Sequence, residues 1–155
     1  MNTCCFIGHR SIDETEALRI RLSETIEDLI VNEKVETFLF GSKSRFNSLC
    51  LETVTKLKEK YPKVKRVYVR AQYPFIDDSY REYLLNFYDE TYYPENVRGS
   101  KAVYVERNRE MIKQSRFCVF YYNELNAPEM RKSGTKIALD FAVRQGKKII
   151  NLPIG

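Results

Sequence analysis

Short apolar runs recur along the chain and alternate with stretches whose apolar positions follow the period of an α-helix. Five of these runs are nearly continuous, and they cover residues 4–7, 37–40, 64–69, 117–122 and 148–152. Strands that are covered on both faces have this continuous apolar character, whereas strands with one face in water alternate apolar and polar residues. The five runs therefore predict strands of a parallel sheet.

The stretches between the runs place their apolar residues on one helix face. These predicted helices cover residues 13–31, 44–60, 103–114 and 135–145. Asp13 or Thr15 is the expected N-cap of the first helix, and Gly146 is a suitable stop for the last. Strands that alternate with helices predict an α/β fold, with an open, mostly parallel sheet of about five strands and helices on both faces.

Residues 71–100 interrupt this alternation and are unusually aromatic. The rings of this segment are Tyr73, Phe75, Tyr80, Tyr83, Phe87, Tyr88, Tyr92 and Tyr93. The segment is predicted to be an insertion after the third strand, with a short helix over residues 79–87, that folds over the edge or mouth of the sheet. No repeat or linker divides the chain, so residues 1–155 are expected to form one domain.

Charge and hydropathy narrow the function only slightly. The chain has 26 Lys and Arg against 21 Asp and Glu, a net charge of +5, which suits an anionic ligand but is also common without one. No apolar run approaches the roughly 20 residues that span a bilayer. The N-terminus lacks the pattern of a signal peptide. We therefore expect a cytoplasmic protein with no membrane partner.

The cysteines and the single histidine predict neither a metal site nor a catalytic nucleophile. Cys4, Cys5 and Cys118 lie in apolar runs and Cys50 lies in a predicted helix, with no CxxC spacing among them. Buried free thiols are the expected state. The sequence pairs His9 with no Ser or Cys nucleophile and acid, so no triad is indicated. We expect no catalytic residue, no metal and no cofactor.

Three junctions between a strand and the following helix carry residues that suit a phosphate. They comprise Gly8, His9 and Arg10 after the first strand, Gly41, Ser42 and Lys43 after the second, and Ser133, Gly134 and Thr135 at the start of the last helix. Helix N-termini attract anions because their first N–H groups lack partners and the helix dipole is positive there. One such junction is ordinary turn chemistry, but three helix N-termini on one sheet edge predict a nucleotide or phosphate site.

Two further groups of residues are candidates for the same site. Arg107 and Asn108 share a predicted helix, and the guanidinium fork of Arg107 can hold a phosphate or carboxylate, although periodicity alone favours a solvated charged face. Tyr73, Phe75 or Tyr80 are candidate platforms for a nucleobase. Most rings of the aromatic segment are expected to pack in a small core instead.

Three motifs together resemble the SLOG superfamily, and within it the small YpsA-like proteins. The motifs are "CCFIGHRSI", "RNREMIKQSRFCVFYY" and "SGTKIALDFAVRQGKKIINL", and the resemblance covers almost the whole chain. It implies a Rossmann-like fold that binds nucleotide-derived ligands and forms dimers or tetramers. The residues that it places at the ligand are Gly8, His9 and Arg10, Gly41 and Ser42, Arg107 and Asn108, and Ser133, Gly134 and Thr135.

This superfamily includes proteins with different activities. LOG phosphoribohydrolases release a base from a nucleoside monophosphate, DprA proteins bind single-stranded DNA, and sensor domains bind signals of the cyclic ADP-ribose type. LOG hydrolases carry a motif similar to PGGxGTxxE, which ends in an acid. When Gly134-Thr135 is aligned with the Gly-Thr of this motif, Ala138 stands in place of the acid. This departure argues against LOG-type hydrolysis, since Glu106, Glu110 or Asp140 would have to supply the carboxylate.

The sequence therefore favours a protein that binds an ADP-ribose-like, cyclic or related phosphate-containing nucleotide derivative. It would act as a sensor or a sequestering protein, for instance in conflict between phage and bacteria. A nucleotide N-glycosidase of LOG type is the first alternative. Binding of single-stranded DNA in the manner of DprA is the second, and nucleic acid ranks last as a partner because the basic residues are interleaved with acids along the sequence.

Overall fold

The computed structural model describes residues 2–97, 102–123 and 133–153. Strands and helices alternate within these residues. The strands are β1 Thr3–Gly8, β2 Thr37–Phe40, β3 Lys65–Val69, β4 Glu90–Tyr92, β5 Phe117–Tyr121 and β6 Lys148–Asn151. The helices are α1 Glu16–Val31, α2 Arg45–Lys60, α3 Asp78–Leu85, α4 Val103–Gln114 and α5 Gly134–Arg144. The predicted α/β fold is confirmed.

The six strands form one sheet in the order β4-β3-β2-β1-β5-β6, and all five neighbouring pairs are parallel. The chain runs outward from β1 through β2, β3 and β4, and then continues on the other side of β1 with β5 and β6. Where the order in which strands are added reverses in this way, a parallel sheet opens a crevice at the carboxyl ends of its central strands. The topology therefore places a ligand-sized opening outside β1 and β5.

Helices cover both faces of the sheet, as the continuous apolar strands predict. Phe6, Phe38 and Phe40 point to the face that α1 and α2 cover, where they form the larger hydrophobic core. Cys5 and Leu39 alternate with them and point to the opposite face, where they pack with α4 and α5. Because successive residues of a strand point to opposite faces, a strand between two helix layers needs apolar residues at every position.

Helix α1 begins at Glu16, with the Thr15 hydroxyl accepting the Leu18 N–H at 3.1 Å as its cap. Thr15 is one of the two expected caps. The helix does not begin directly at the first predicted junction, because residues 9–15 form a loop before it. The backbone N–H of Asp13, the other expected cap, donates to the Tyr121 hydroxyl at 3.2 Å. By contrast, α2 begins at Arg45, just after the second predicted junction, and α5 begins at Gly134, within the third.

The aromatic segment contributes a sixth strand, which the apolar pattern does not predict because β4 has only three residues and no apolar run. An ion pair holds this strand at the edge of the sheet. The Asp89 carboxylate accepts hydrogen bonds from the Arg66 backbone N–H at 2.8 Å and from its Nε at 3.1 Å. Residues 98–100, the end of the segment, lie outside the described residues.

The prediction that most rings of the segment pack in a small core is not met, because four of the eight, Tyr73, Phe75, Tyr83 and Phe87, are exposed. Tyr88 is buried against Tyr68, with ring centroids 5.0 Å apart. Phe75 and Tyr83 are 93% and 57% exposed. The segment therefore combines an internal anchor with an exposed row of rings on α3.

All four cysteines are buried free thiols, as predicted. Burial raises the pKa of Cys4 and of Cys50 well above the ordinary value, so these thiols stay protonated and unreactive. No helix in the described part of the chain is long and apolar enough to cross a membrane.

Gly8 ends β1 where the strand runs directly beneath α2. A Cβ at this position would lie 2.3 Å from the Phe46 ring, which is fully buried. The lack of a side chain at Gly8 is therefore required by the packing of α2 on the sheet, independently of any ligand.

We expect Gly8→Ala to lower the free energy of unfolding by about 1–3 kcal/mol, because the Phe46 ring must move in a close-packed core. The measurement is the denaturant midpoint at constant m. Gly134→Ala is the matched control, since no atom of the described residues lies within 4 Å of its added Cβ, and it should change stability by less than about 0.5 kcal/mol. Equal midpoints for Gly8→Ala and the wild type would contradict the packing argument.

Candidate functional site

A cleft of about 730 Å³ opens at the carboxyl ends of the strands. Its walls come from the loops after β1, β2 and β3 and from α3, α4 and the start of α5. All of the candidate site residues of the sequence analysis line it, namely Gly8, His9, Arg10, Gly41, Ser42, Lys43, Tyr73, Arg107, Asn108, Ser133, Gly134 and Thr135. The fold therefore brings together residues that lie up to 127 positions apart in the chain.

Arg107 crosses from α4 to the end of β2 and is only 3% exposed. Its Nη1 donates to the Gly41 carbonyl and its Nε donates to the Asn108 side-chain oxygen at 3.0 Å. A Cβ at Gly41 would lie 2.7 Å from the Cδ and Nε atoms of Arg107. Gly41 is thus needed for the arginine to lie across the loop, and Asn108 fixes its orientation.

The Arg107 guanidinium is charged but has no carboxylate partner among the described residues. Burial lowers its pKa to about 10, and only the phenols of Tyr68 and Tyr104 act in the opposite direction. At neutral pH the group stays protonated in a site that disfavours charge. Its Nη2 donates no hydrogen bond within the described chain. Because no buried side-chain nitrogen or oxygen there lacks a partner, this atom is open to the cleft, where a ligand anion would accept its hydrogen bond.

The described residues that line the cleft carry cations and no carboxylate. The cations are Arg10, Lys43, Arg70 and Arg107. A concave surface of one sign concentrates the field and attracts a ligand of the opposite charge. The cleft is therefore suited to an anion.

Arg70 is a member of this set that the sequence analysis missed. It follows β3 directly, as Arg10 follows soon after β1, so a basic residue after a buried strand was the available signal. Its Nε donates to the Tyr73 carbonyl at 3.1 Å and its Nη1 to the Thr91 hydroxyl at 3.1 Å. Burial lowers its pKa. Arg70 adds positive charge while it fixes the loop after β3.

Tyr73 lies on that loop in a left-handed conformation, with φ of 61°. This conformation costs free energy for a residue with a side chain, and such residues occur often at functional sites. The ring is 61% exposed and meets Tyr80 edge-on at 6.2 Å. Both rings line the cleft, whereas Phe75, the third candidate platform, is not among the residues that line it.

The loop after β2 uses most of its polar groups internally. The Ser44 hydroxyl caps α2 by accepting the Asn47 N–H at 3.1 Å and lies 2.8 Å from the Ser42 hydroxyl. Arg45 binds the Glu14 carboxylate through Nε at 2.7 Å, which together with Arg19 lowers the pKa of Glu14 to about 2. Lys43 is exposed at the mouth of the cleft.

The start of α5 lies at the cleft with a glycine in its first turn. The Ser133 hydroxyl caps the helix by accepting the Lys136 N–H at 3.1 Å. No neighbouring atom among the described residues explains the absence of a side chain at Gly134, in contrast to Gly8 and Gly41. A ligand that approaches this N-terminus closely would need that space.

His9 connects the ends of the two central strands. Its Nε2 accepts the backbone N–H of Asn123 at 3.0 Å, which assigns the proton of the neutral ring to Nδ1. Burial lowers the pKa of His9 from the ordinary 6.5, so the ring is neutral at pH 7.

The acids considered for LOG-type hydrolysis do not line the cleft. Ala138, at the position of the LOG acid, is buried in the core beneath α5. Glu110 lies 3.6 Å from Lys113, and Asp140 lies 3.1 Å from Lys136. Among the described residues, no group of three or more His, Cys, Asp or Glu is placed to hold a metal ion.

The fold resembles that of DNA processing protein A from Helicobacter pylori, a structure described for its single-stranded DNA binding mode. The similarity has a TM-score of 0.63 at 16% sequence identity and covers 99% of this chain and 66% of that chain. This chain therefore spans slightly less than two thirds of that protein's length. No protein-family model matches the chain, and no curated protein matches it in sequence. At this identity the likeness supports a Rossmann-like fold alone.

The burial of His9 predicts a pH dependence of stability. The lowered pKa in the folded state means that the unfolded chain binds the proton first as the pH falls. Stability is therefore unaffected by His9 above pH 6.5 and is lost progressively below that value. We expect His9→Gln, whose side-chain oxygen can still accept the Asn123 N–H, to lose less stability than the wild type between pH 7.5 and pH 5. An equal loss of unfolding free energy in the two proteins between pH 7.5 and pH 5, measured by denaturant curves, would contradict this role.

Proposed function

We propose that the protein binds a nucleotide derivative of the ADP-ribose type, linear or cyclic, in the cleft at the carboxyl ends of its strands. The observation that carries the proposal is Arg107, a protonated guanidinium that is 3% exposed and has no carboxylate among the described residues. A buried charge of this kind is costly unless an anion accompanies it. A phosphate that accepts from Nη2 would be that anion.

The dimensions and chemistry of the cleft suit a ligand with both phosphate and base. Its volume of about 730 Å³ lies in the range of small-molecule sites, roughly 300–1,000 Å³. The N-terminus of α5 at Gly134 and the guanidinium of Arg107 supply anion-binding groups. Tyr73 and Tyr80 supply flat apolar surface for a base.

Binding without hydrolysis is the better supported reading of this site. Cleavage of an N-glycosidic bond needs a carboxylate near the sugar, and the described lining contains none. The protein would then sense, sequester or present its ligand. Self-association, which the family resemblance implies, stays a prediction.

Binding of single-stranded DNA is the second candidate. Two observations favour it and count against ranking nucleic acid as the last partner. The structural neighbour is described as binding single-stranded DNA. A row of rings leads out of the cleft along α3, where Tyr80 stacks on Tyr83 at 6.3 Å and Tyr83 meets Phe87 at 5.5 Å. Successive rings of this kind can stack on successive bases.

Replacement of Arg107 tests the proposal directly. We expect Arg107→Met to weaken binding of ADP-ribose or a cyclic isomer by about 10- to 100-fold in calorimetry, because a charge-assisted hydrogen bond is lost. The variant should be as stable as the wild type or up to about 2 kcal/mol more stable, since a buried unpaired charge is removed. Arg19→Met, on the exposed face of α1, is the matched control and should bind normally.

Two results would refute this binding function. The first is a wild type that binds none of AMP, NAD, ADP-ribose or cyclic ADP-ribose. The second is release of free base from AMP or NAD by the wild type but not by Glu110→Gln, which would make the protein a hydrolase.

Substitutions in the row of rings distinguish binding of a single nucleotide from binding of a DNA strand. Tyr73 lines the cleft and Tyr83 does not. We expect Tyr73→Ala to weaken binding of the nucleotide by about 5- to 100-fold through lost stacking, and Tyr83→Ala to leave it unchanged. A labelled 15-nucleotide single strand in anisotropy titrations is the comparison. If Tyr83→Ala weakens strand binding while nucleotides fail to compete, DNA binding replaces the nucleotide proposal.

A further inference from the structure

The net positive charge of the chain comes from its last third. Residues 1–102 contain sixteen Lys and Arg and sixteen Asp and Glu, so they are neutral overall. Residues 103–155 contain ten Lys and Arg against five Asp and Glu, which is the whole net charge of +5. Basic and acidic residues alternate along the sequence there, but the fold separates them.

Six cations of this region form one surface, which we call the α4–α5 basic face. Its members are Arg109, Lys113, Arg116, Arg144, Lys147 and Lys148. All except the half-buried Lys147 are exposed. The face lies around the amino ends of β5 and β6, the edge of the sheet opposite the cleft. It extends onto α4 and α5 on one side of the sheet and over Phe117, a member of the α1–α2 core, on the other.

Two aromatic rings each lie close to a pair of these cations. The guanidinium groups of Arg109 and Arg144 lie 5.4 and 5.9 Å from the Phe141 ring. Arg116 and Lys148 lie 5.4 and 5.8 Å from the Phe117 ring in the same way.

The Lys147 amino group donates to the Lys113 carbonyl at 3.3 Å, so the residue before β6 lies against the end of α4. Among the described residues, the only carboxylate within 4 Å of any of the six cations is Glu110, at 3.6 Å from Lys113.

Helix dipoles account for only part of this clustering. Lys113 and Arg144 lie in the last turns of α4 and α5, where the dipole favours a cation. Arg109 lies a turn earlier, and Arg116 and Lys148 lie at strand starts. Their mutual repulsion is left without compensation, so a polyanion that covers the face would relieve it.

The rings on this face favour a duplex over a single strand. Phe117 is buried, and Phe141 is half-buried with a guanidinium group near its ring from each of two helices. Neither ring is open to a base, whereas binding of single strands relies on exposed stacking platforms. Cations spread over the surface of two helices fit the regularly spaced phosphates of a duplex backbone.

We propose that the α4–α5 basic face binds the phosphate backbone of double-stranded DNA without reading its sequence. This interaction is separate from ligand binding in the cleft, because the face and the cleft lie at opposite edges of the sheet. It therefore stands or falls independently of the proposed function.

The salt dependence of binding tests this proposal. Anisotropy of a labelled 20-base-pair duplex of mixed sequence should show a slope of log K against log salt of about −4.5 for about five phosphate contacts, or roughly 500-fold weakening between 50 and 200 mM salt. Replacement of Arg109, Lys113, Arg144 and Lys148 by Gln should reduce the slope by about 3 to 4. Binding of the cleft ligand by this variant should not change.

The matched control removes the same charge from another part of the surface. Its four substitutions to Gln are at the exposed residues Lys56, Lys60, Lys63 and Lys65. This control should keep the slope of the wild type. Circular dichroism and the denaturant midpoint should show both variants folded, since exposed substitutions change stability little.

Four outcomes would overturn the proposal. Equal loss in the two variants would mean that net charge alone attracts DNA, and tighter binding of the single strand would assign the interaction to the cleft and α3. Competition by poly-glutamate as effective as that of duplex at equal charge would indicate an acidic protein partner. A change of oligomeric state in the four-Gln variant would make the face an interface between copies of this chain.

Discussion

A guanidinium group buried without a carboxylate is the constraint around which the cleft is arranged. Arg107 reaches its place only because Gly41 has no side chain, and Asn108 and the Gly41 carbonyl together fix its plane. The charge is costly in this position, so the free protein stores part of the free energy that an anion would recover on binding. Under the proposed function, removal of the Arg107 charge would therefore raise the stability of the free protein and lower its affinity for the anion.

The fold was predictable because two helix layers demand apolar residues at every strand position, which leaves a plain signal in the sequence. The short strand β4 left none, since the Asp89–Arg66 ion pair and the pairing with β3 hold it instead of an apolar face. The start of α1 was left open between two caps, Asp13 and Thr15, and the structure shows Thr15 as the cap. The Asp13 N–H instead donates to the Tyr121 hydroxyl, a contact that local sequence does not reveal.

The positions of the candidate site residues followed from topology, because the carboxyl ends of parallel strands share one edge. The reasons for those residue types did not follow. Gly8 and Gly41 read as phosphate loops, yet a neighbouring side chain explains each of them, and only Gly134 has open space. Arg70 escaped notice because its role depends on Tyr73 and Thr91, which the fold brings to it. Pairwise contacts of this kind have no signature in local sequence.

The close approach of Arg107 to Gly41 also restricts how this protein can change over evolutionary time. A Cβ at position 41 would lie 2.7 Å from both the Arg107 side chain and the Met111 sulfur. A larger residue there is accessible only after position 107 has taken a smaller side chain, and a smaller neutral one would remove the buried charge of Arg107. Substitutions at positions 41 and 107 should therefore occur together. Under the proposed function, descendants that lose the glycine would also bind the anion less tightly.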